Sequence, residues 1–232
     1  VKVVKYDEMQ CLISGLNFLL NRVPDEVFGY EGGMQSFADP HPYLLVNVGS
    51  GISFLRCISA DKFERVMGSA IGGATFWGLV RSMTKVRDYD EAMKLAMAGN
   101  SDSVNMTVGD IYGGDYPSFS LPRNMTASFF GKVRSLTPLS LLIESPSNAV
   151  LFMVSNNIGQ LTYLTAQKYG IEKIYFSGNF LRGNEIAMQA LHRAITFWSG
   201  GKMRSCFLRH EGHFGALGAF LLHNGFTGED IA

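Results

Sequence analysis

Residues Tyr43 to Leu55 run Tyr-Leu-Leu-Val-Asn-Val-Gly-Ser-Gly-Ile-Ser-Phe-Leu. An apolar run meets a Gly-Ser-Gly turn and re-emerges as a second apolar run. Two β-rich runs around a short glycine turn dictate a β-hairpin. Glycines at its tip let backbone N–H groups approach a ligand closely, and successive N–H groups make an anion-binding concavity. A phosphate is a natural occupant of such a tip, with the Ser50 hydroxyl as a further donor. The alternative is an ordinary tight hairpin.

The rest of the chain sorts around this hairpin. Asp7 to Leu20 has helical spacing, with Met9, Leu12, Ile13, Leu16, Leu19 and Leu20 on one face. Asn21 to Pro42 reads as a loop. Strand-like runs cover Tyr43 to Val48, Ile52 to Ser59 and Phe63 to Met67. Gly72-Gly73 opens a helix to about Met83, and Asp88 caps another to Ala98. Asn105 to Tyr112 reads as a short helix closed by Gly113-Gly114, and Asp115 to Pro146 as irregular. Ser147 to Lys168 is the longest helical stretch, stopped by Gly170. Ile174 to Ser177 and Cys206 to Leu208 are strands, and Asn184 to Ser199 and Phe214 to Leu222 are helices. A three-stranded antiparallel meander followed by βαβ units predicts an α/β chain with a mixed sheet and helices on both faces.

Composition excludes several function classes. The chain has 232 residues, 47% of them hydrophobic, enough for a real core. Lys+Arg and Asp+Glu are 20 each, so nothing recommends nucleic acid or an anionic membrane as partner. The apolar runs are far shorter than the roughly 20 residues that span a bilayer. Cys11, Cys57 and Cys206 are widely spaced, which predicts a reducing, cytoplasmic setting and no thiolate metal site. His210-Glu211-Gly212-His213 lacks the helical H-E-x-x-H spacing and is not read as a metal site.

Several residues are open between a structural and a chemical role when read singly. Gly68 to Phe76 joins a strand to a helix. Its Gly72-Gly73 pair either presents N–H groups to an anion or allows close helix–sheet contact. Gly178-Asn179 follows a strand, where open α/β sheets bind ligands. Glu8 either complements a helix dipole or does chemistry. Arg65 either faces outward or clamps a carboxylate or phosphate.

Taken in order, these segments are specific. They are Asp7-Glu8-Met9, Pro42 to Ser53, Phe63-Glu64-Arg65-Val66, Ile71 to Leu79, Asp110 to Tyr116, Ser155 to Gln160, Gly178 to Arg182, Phe197-Trp198-Ser199 and His210 to Ala216. Together they closely resemble the eukaryotic type II pantothenate kinases over nearly the whole chain. The resemblance implies a ribonuclease-H-like domain of the actin-like ATPase fold. It implies ATP-dependent, Mg²⁺-assisted phosphorylation of pantothenate, a homodimer, and feedback by acyl-CoA. It makes Glu8 the catalytic glutamate and Ser50, Ser53 and Arg65 ligands of substrate or acyl-CoA. It sets Gly49, Ser50, Gly51, Gly72, Gly73, Gly178 and Asn179 at the ATP site.

Two departures accompany the resemblance. Ala74 stands where the family usually has a third glycine. The family's N-terminal half, with its first phosphate hairpin, is expected to be missing, so the chain would hold one side of the cleft. The expected division is residues 1–42, a helix and loop carrying Glu8, and 43–232, the ribonuclease-H-like domain. The alternative function is that of a catalytically inactive pseudokinase or a CoA-sensing dimerisation domain.

Overall fold

A computed structural model describes residues 3–30, 39–135, 144–226 and 230. The parts of the two expected irregular stretches at 31–38 and 136–143 lie outside the described residues. In chain order the elements are α1 (Glu8–Arg22), β1 (Val27–Phe28), β2 (Tyr43–Val48), β3 (Ile52–Cys57), β4 (Phe63–Ser69), α2 (Gly73–Met83) and α3 (Tyr89–Ala98). There follow β5 (Met106–Thr107), α4 (Val108–Tyr112), β6 (Thr126–Ser128), α5 (Glu144–Tyr169), β7 (Lys173–Ser177), α6 (Glu185–Ser199), β8 (Arg204–Leu208) and α7 (Phe214–His223). The chain divides into two compact units, Val1–Gly73 with Ile158–Ala232, and Ala74–Asn157.

The first unit holds a six-stranded sheet in the order β1-β8-β7-β2-β3-β4. β2, β3 and β4 form an antiparallel meander, while β7 pairs parallel to both β2 and β8. The sheet has helices on both faces, the arrangement expected from the meander and βαβ pattern. β1 is the element the sequence pattern hides. Two residues are too short to show alternation, and they are held by antiparallel pairing of Val27 with Leu208 and Phe28 with Phe207.

α1 starts where Asp7 accepts the Gln10 N–H at 2.9 Å. An isolated helix of this length is marginal in water. It is fixed by burying Leu12, Ile13, Leu16 and Leu19 against Tyr43, Leu45, Leu55 and Tyr175. Each such side chain contributes about 1.5–3 kcal/mol. α7 lies on α1 through two glycines. A Cβ at Gly15 would meet the Phe214 carbonyl, and one at Gly218 the Cys11 carbonyl. The other sheet face carries the end of α5, where Thr165 Oγ1 lies 3.4 Å from Met67 Sδ and the Arg56 guanidinium lies 5.0 Å above the Tyr169 ring.

The second unit is knitted by side chain–backbone bonds. Asn148 Nδ2 donates to the Ala96 carbonyl at 2.8 Å, and its Oδ1 accepts the Ser101 N–H at 3.0 Å. α4 begins three residues later than its pattern predicts. Met106–Thr107 instead pairs with β6, and Thr107 and Asp110 cap the helix reciprocally. Gly113, at φ +80°, ends it as expected. Asp110 is held down to about 2, first by its 2.8 Å contact with Lys132 and then by Thr107.

Candidate functional site

β2, β4, β7 and β8 point the same way, so the 49–51 turn and the segments after Ser69, Ser177 and Leu208 gather at one end of the sheet. In α/β sheets the crevice outside the carboxyl ends of parallel strands is where ligands bind.

The glycines predicted for the ATP site meet here, and the contacts are backbone on backbone. The Gly73 N–H donates to the Gly49 carbonyl at 2.9 Å, and the Gly49 N–H to the Gly51 carbonyl at 2.9 Å. A Cβ at Gly72 would sit 2.7 Å from the Ser50 carbonyl oxygen, and one at Gly51 2.8 Å from that of Ser69. Gly178, at φ +104°, presses on the backbone of Val48. The glycines thus let three chain segments approach each other. The 49–51 turn itself leaves two donors over. Among the described residues, the N–H groups of Ser50 and Gly51 make no hydrogen bond. They point the cluster toward an anionic ligand. The side chains of Ser50 and Asn179 are exposed.

A polar row crosses the sheet just inside this end. In register, Gly68 faces Ser53, Ser53 faces Asn47, and Asn47 faces Ser177. Arg65 Nε donates to Ser53 Oγ at 3.3 Å, and Ser177 Oγ donates to Asn47 Oδ1 at 3.2 Å. Tyr43, Leu45 and Asn47 alternate along β2 onto the face that α1 covers. Leu55 shares that face, so Ser53, two residues away, does too. A register shift in the β3–β4 ladder beside Phe54 and Leu55 turns Arg65 onto the same face as Ser53. The row is therefore a polar strip closing an otherwise apolar face.

Of the predicted residues, the structure brings Ser53 and Arg65 into contact and packs Gly49, Gly51, Gly72 and Gly73 together, with Gly178 against Val48. Glu8 is the first residue of α1, exposed, and its carboxylate makes no hydrogen bond or ion pair among the described residues. Sequence reasoning did not single out Asn47 or Ser177. The signal was present: each is the polar residue where a period-2 apolar face stops. It also passed over Glu26, which is buried beside His210. Among the described residues, no group of three or more His, Cys, Asp or Glu side chains is placed to hold a metal ion.

Fold and site together define an α/β domain whose loops converge at the carboxyl ends of parallel strands. The model of the Fumble family matches residues 1–222, and the chain belongs to this family, that of the type II pantothenate kinases. It is 44% identical to pantothenate kinase 2 of Arabidopsis thaliana, over 100% of this chain and 26% of that protein. It is 43% identical to pantothenate kinase 1 of the same organism, over 98% of this chain and 61% of that protein. It is also 43% identical to the 4'-phosphopantetheine phosphatase of Mus musculus, over 95% of this chain and 28% of that protein. The chain thus spans less than two thirds of the curated relatives it matches.

Proposed function

We propose that the protein containing this chain transfers the γ-phosphoryl group of ATP to the primary alcohol of pantothenate, the first step toward coenzyme A. The observation that carries the reading is the bonded Arg65–Ser53 pair, set on the same sheet end as the unpaired Ser50 and Gly51 N–H groups. A guanidinium is a planar fork that suits the carboxylate of pantothenate. Two free N–H groups at a glycine turn suit phosphate oxygens. In the transfer, the substrate hydroxyl oxygen forms the new P–O bond, the bond to the departing ADP breaks, and Glu8 accepts the hydroxyl proton. Mg²⁺ supplies charge neutralisation on the phosphates when bound. This chain's own contribution is Arg65, Ser53, Glu8 and the backbone donors of the turn.

Three further assignments belong to this reading. Acyl-CoA, as a regulator, shares Ser50, Ser53 and Arg65 with pantothenate. The working species is a homodimer. Its setting is the cytoplasm, which suits three buried cysteines that lie outside any disulfide. Among the described residues no helix is long and apolar enough to cross a membrane.

The test is steady-state turnover of the full-length protein with pantothenate, ATP and Mg²⁺. Glu8→Gln should lower kcat about 10²–10⁴-fold while ATP still binds. Undiminished turnover in that variant removes Glu8 from the chemistry, and no turnover in the unaltered full-length protein overturns the reading.

A second reading is favoured by the relative whose name is that of a phosphatase. On it, the chain is a CoA-sensing, dimerising portion of a protein whose chemistry lies elsewhere. Acyl-CoA binding without pantothenate turnover in the full-length protein would select it.

A further inference from the structure

The carboxylate of Glu26 is 1% exposed, and no part of the proposed reaction uses it. Burying a carboxylate is costly unless its oxygens are bonded. Both are. Oε1 accepts the His210 N–H at 3.0 Å, and Oε2 meets His210 Nδ1 at 2.6 Å. The backbone carbonyl of Glu26 accepts the Arg209 N–H at 3.1 Å, extending the β1–β8 ladder by one residue. One residue therefore holds two consecutive positions of a loop 184 residues away in sequence.

That loop leads to the ATP-site glycines. After Arg209 and His210, the carbonyl of Glu211 accepts the Gly178 N–H at 3.4 Å. The His213 N–H turns back onto the His210 carbonyl at 3.0 Å, and α7 follows. Among the described residues no other hydrogen bond is made by residues 209–212. β1 contributes only two paired residues, and a Cβ at Gly212 would meet nothing within 4 Å. Gly178 in turn has no slack, since a Cβ there would run into the Val48 backbone and its φ is +104°.

We infer that Glu26 is a positioning residue for the nucleotide turn, acting through His210 and the 209–213 loop to set the conformation of Gly178-Asn179. The inference rests on the reading of that turn as part of the ATP site. A hydrophobic residue at position 26 would fill the same space at lower desolvation cost, but it could not grip the His210 N–H and ring together.

The test has two parts. Hydrogen exchange of the nucleotide-free full-length protein reads the loop directly. Glu26→Ala should speed exchange of the Gly178 amide about tenfold, with Glu26→Gln in between because it keeps one acceptor. In turnover assays Glu26→Ala should raise the ATP KM about fivefold, with the pantothenate KM and kcat within about twofold. His210→Ala, which spares the backbone bond to Glu26, should act in the same direction and more weakly, and it serves if Glu26→Ala does not fold. Unchanged Gly178 exchange in the folded variants overturns the inference. So does an equal rise in both KM values. If the unaltered protein binds no ATP, the proposed reaction fails while the exchange result still decides the positioning role.

Discussion

Arg65 Nε donates to Ser53 Oγ at 3.3 Å, and its guanidinium fills the space that a side chain at Gly68 would take, where a Cβ would come 3.0 Å from Cζ. The absent side chain of one strand residue is thus the seat of another's charge. The register shift on β4 makes this possible, because it sets Arg65 and Gly68 on one face although three positions separate them.

Gly68→Ala should therefore act as a mild version of Arg65→Ala. The displaced group is the flexible end of an exposed side chain, so stability should change by less than about 1 kcal/mol. The pantothenate KM should rise about tenfold in the full-length protein as the fork leaves its place. Thermal unfolding and steady-state kinetics check the two halves. A normal KM in Gly68→Ala would separate Arg65 from substrate binding.

Gly72 presents the opposite case. A Cβ there would lie 2.7 Å from the Ser50 carbonyl and 2.9 Å from the Gly51 Cα. Both neighbours are backbone, so the hairpin tip must move. Gly72→Ala should cost about 1–3 kcal/mol and weaken ATP binding, since the Ser50 and Gly51 N–H groups move with the tip. Gly78, inside α2 with open space around it, is the control: Gly78→Ala should stabilise by about 0.5–1 kcal/mol. Equal unfolding midpoints for the two variants would contradict the contact account.

Much of this was legible from the chain. The bounds of β2 follow from an apolar run ended by glycine, and Asp88 marked a helix start because a short polar side chain caps orphan N–H groups; the structure adds Asp7 and Asn184 as caps of the same kind. The gathering of Gly49, Gly72 and Gly178 required only that glycine follow or precede strands at one sheet end. What stayed hidden depends on pairing between distant segments. β1 is two residues that extend only because β8 is beside them. The partner of Glu26 is 184 residues away. The Asn47–Ser177 pair needs the β2–β7 register, which no local pattern states. The glycines also proved to serve contact among the chain's own segments.

The buried polar contact under α1 gives a stability prediction independent of function. Tyr43 is fully buried, and its hydroxyl donates to Asn17 Oδ1 at 2.8 Å while Asn17 Nδ2 donates to the Ala60 carbonyl at 3.1 Å. Tyr43→Phe leaves Asn17 Oδ1 without a donor in an apolar setting and should cost about 1–3 kcal/mol in denaturant unfolding. Tyr43→Phe combined with Asn17→Leu should cost less than the sum of the two single changes, because they share one contact. Strict additivity would mean the bond contributes nothing.

The cysteines give a pH prediction. Burial pushes the Cys57 and Cys206 thiols up to about 12, against an ordinary value of 9.0. Burial likewise raises Cys11, helped by the Asp7 and Glu8 carboxylates. In the folded state these thiols stay protonated at pH 8, so a thiolate-directed reagent should label the native protein slowly and all three sites on unfolding. The sign for stability follows from the direction of shift. Both states hold the proton below about pH 9, so stability is full there. Above it the unfolded chain loses protons that the folded one keeps, and stability falls as pH rises from 9 toward 12. Tyr43 and Tyr175, raised by burial, add to the loss only above their ordinary value of 10.0. The window between pH 9 and 10 therefore isolates the thiols. Unfolding midpoints should drop across it in the unaltered protein and drop less in a Cys57→Ala, Cys206→Ala double variant. An identical slope in both would assign the alkaline loss to other groups.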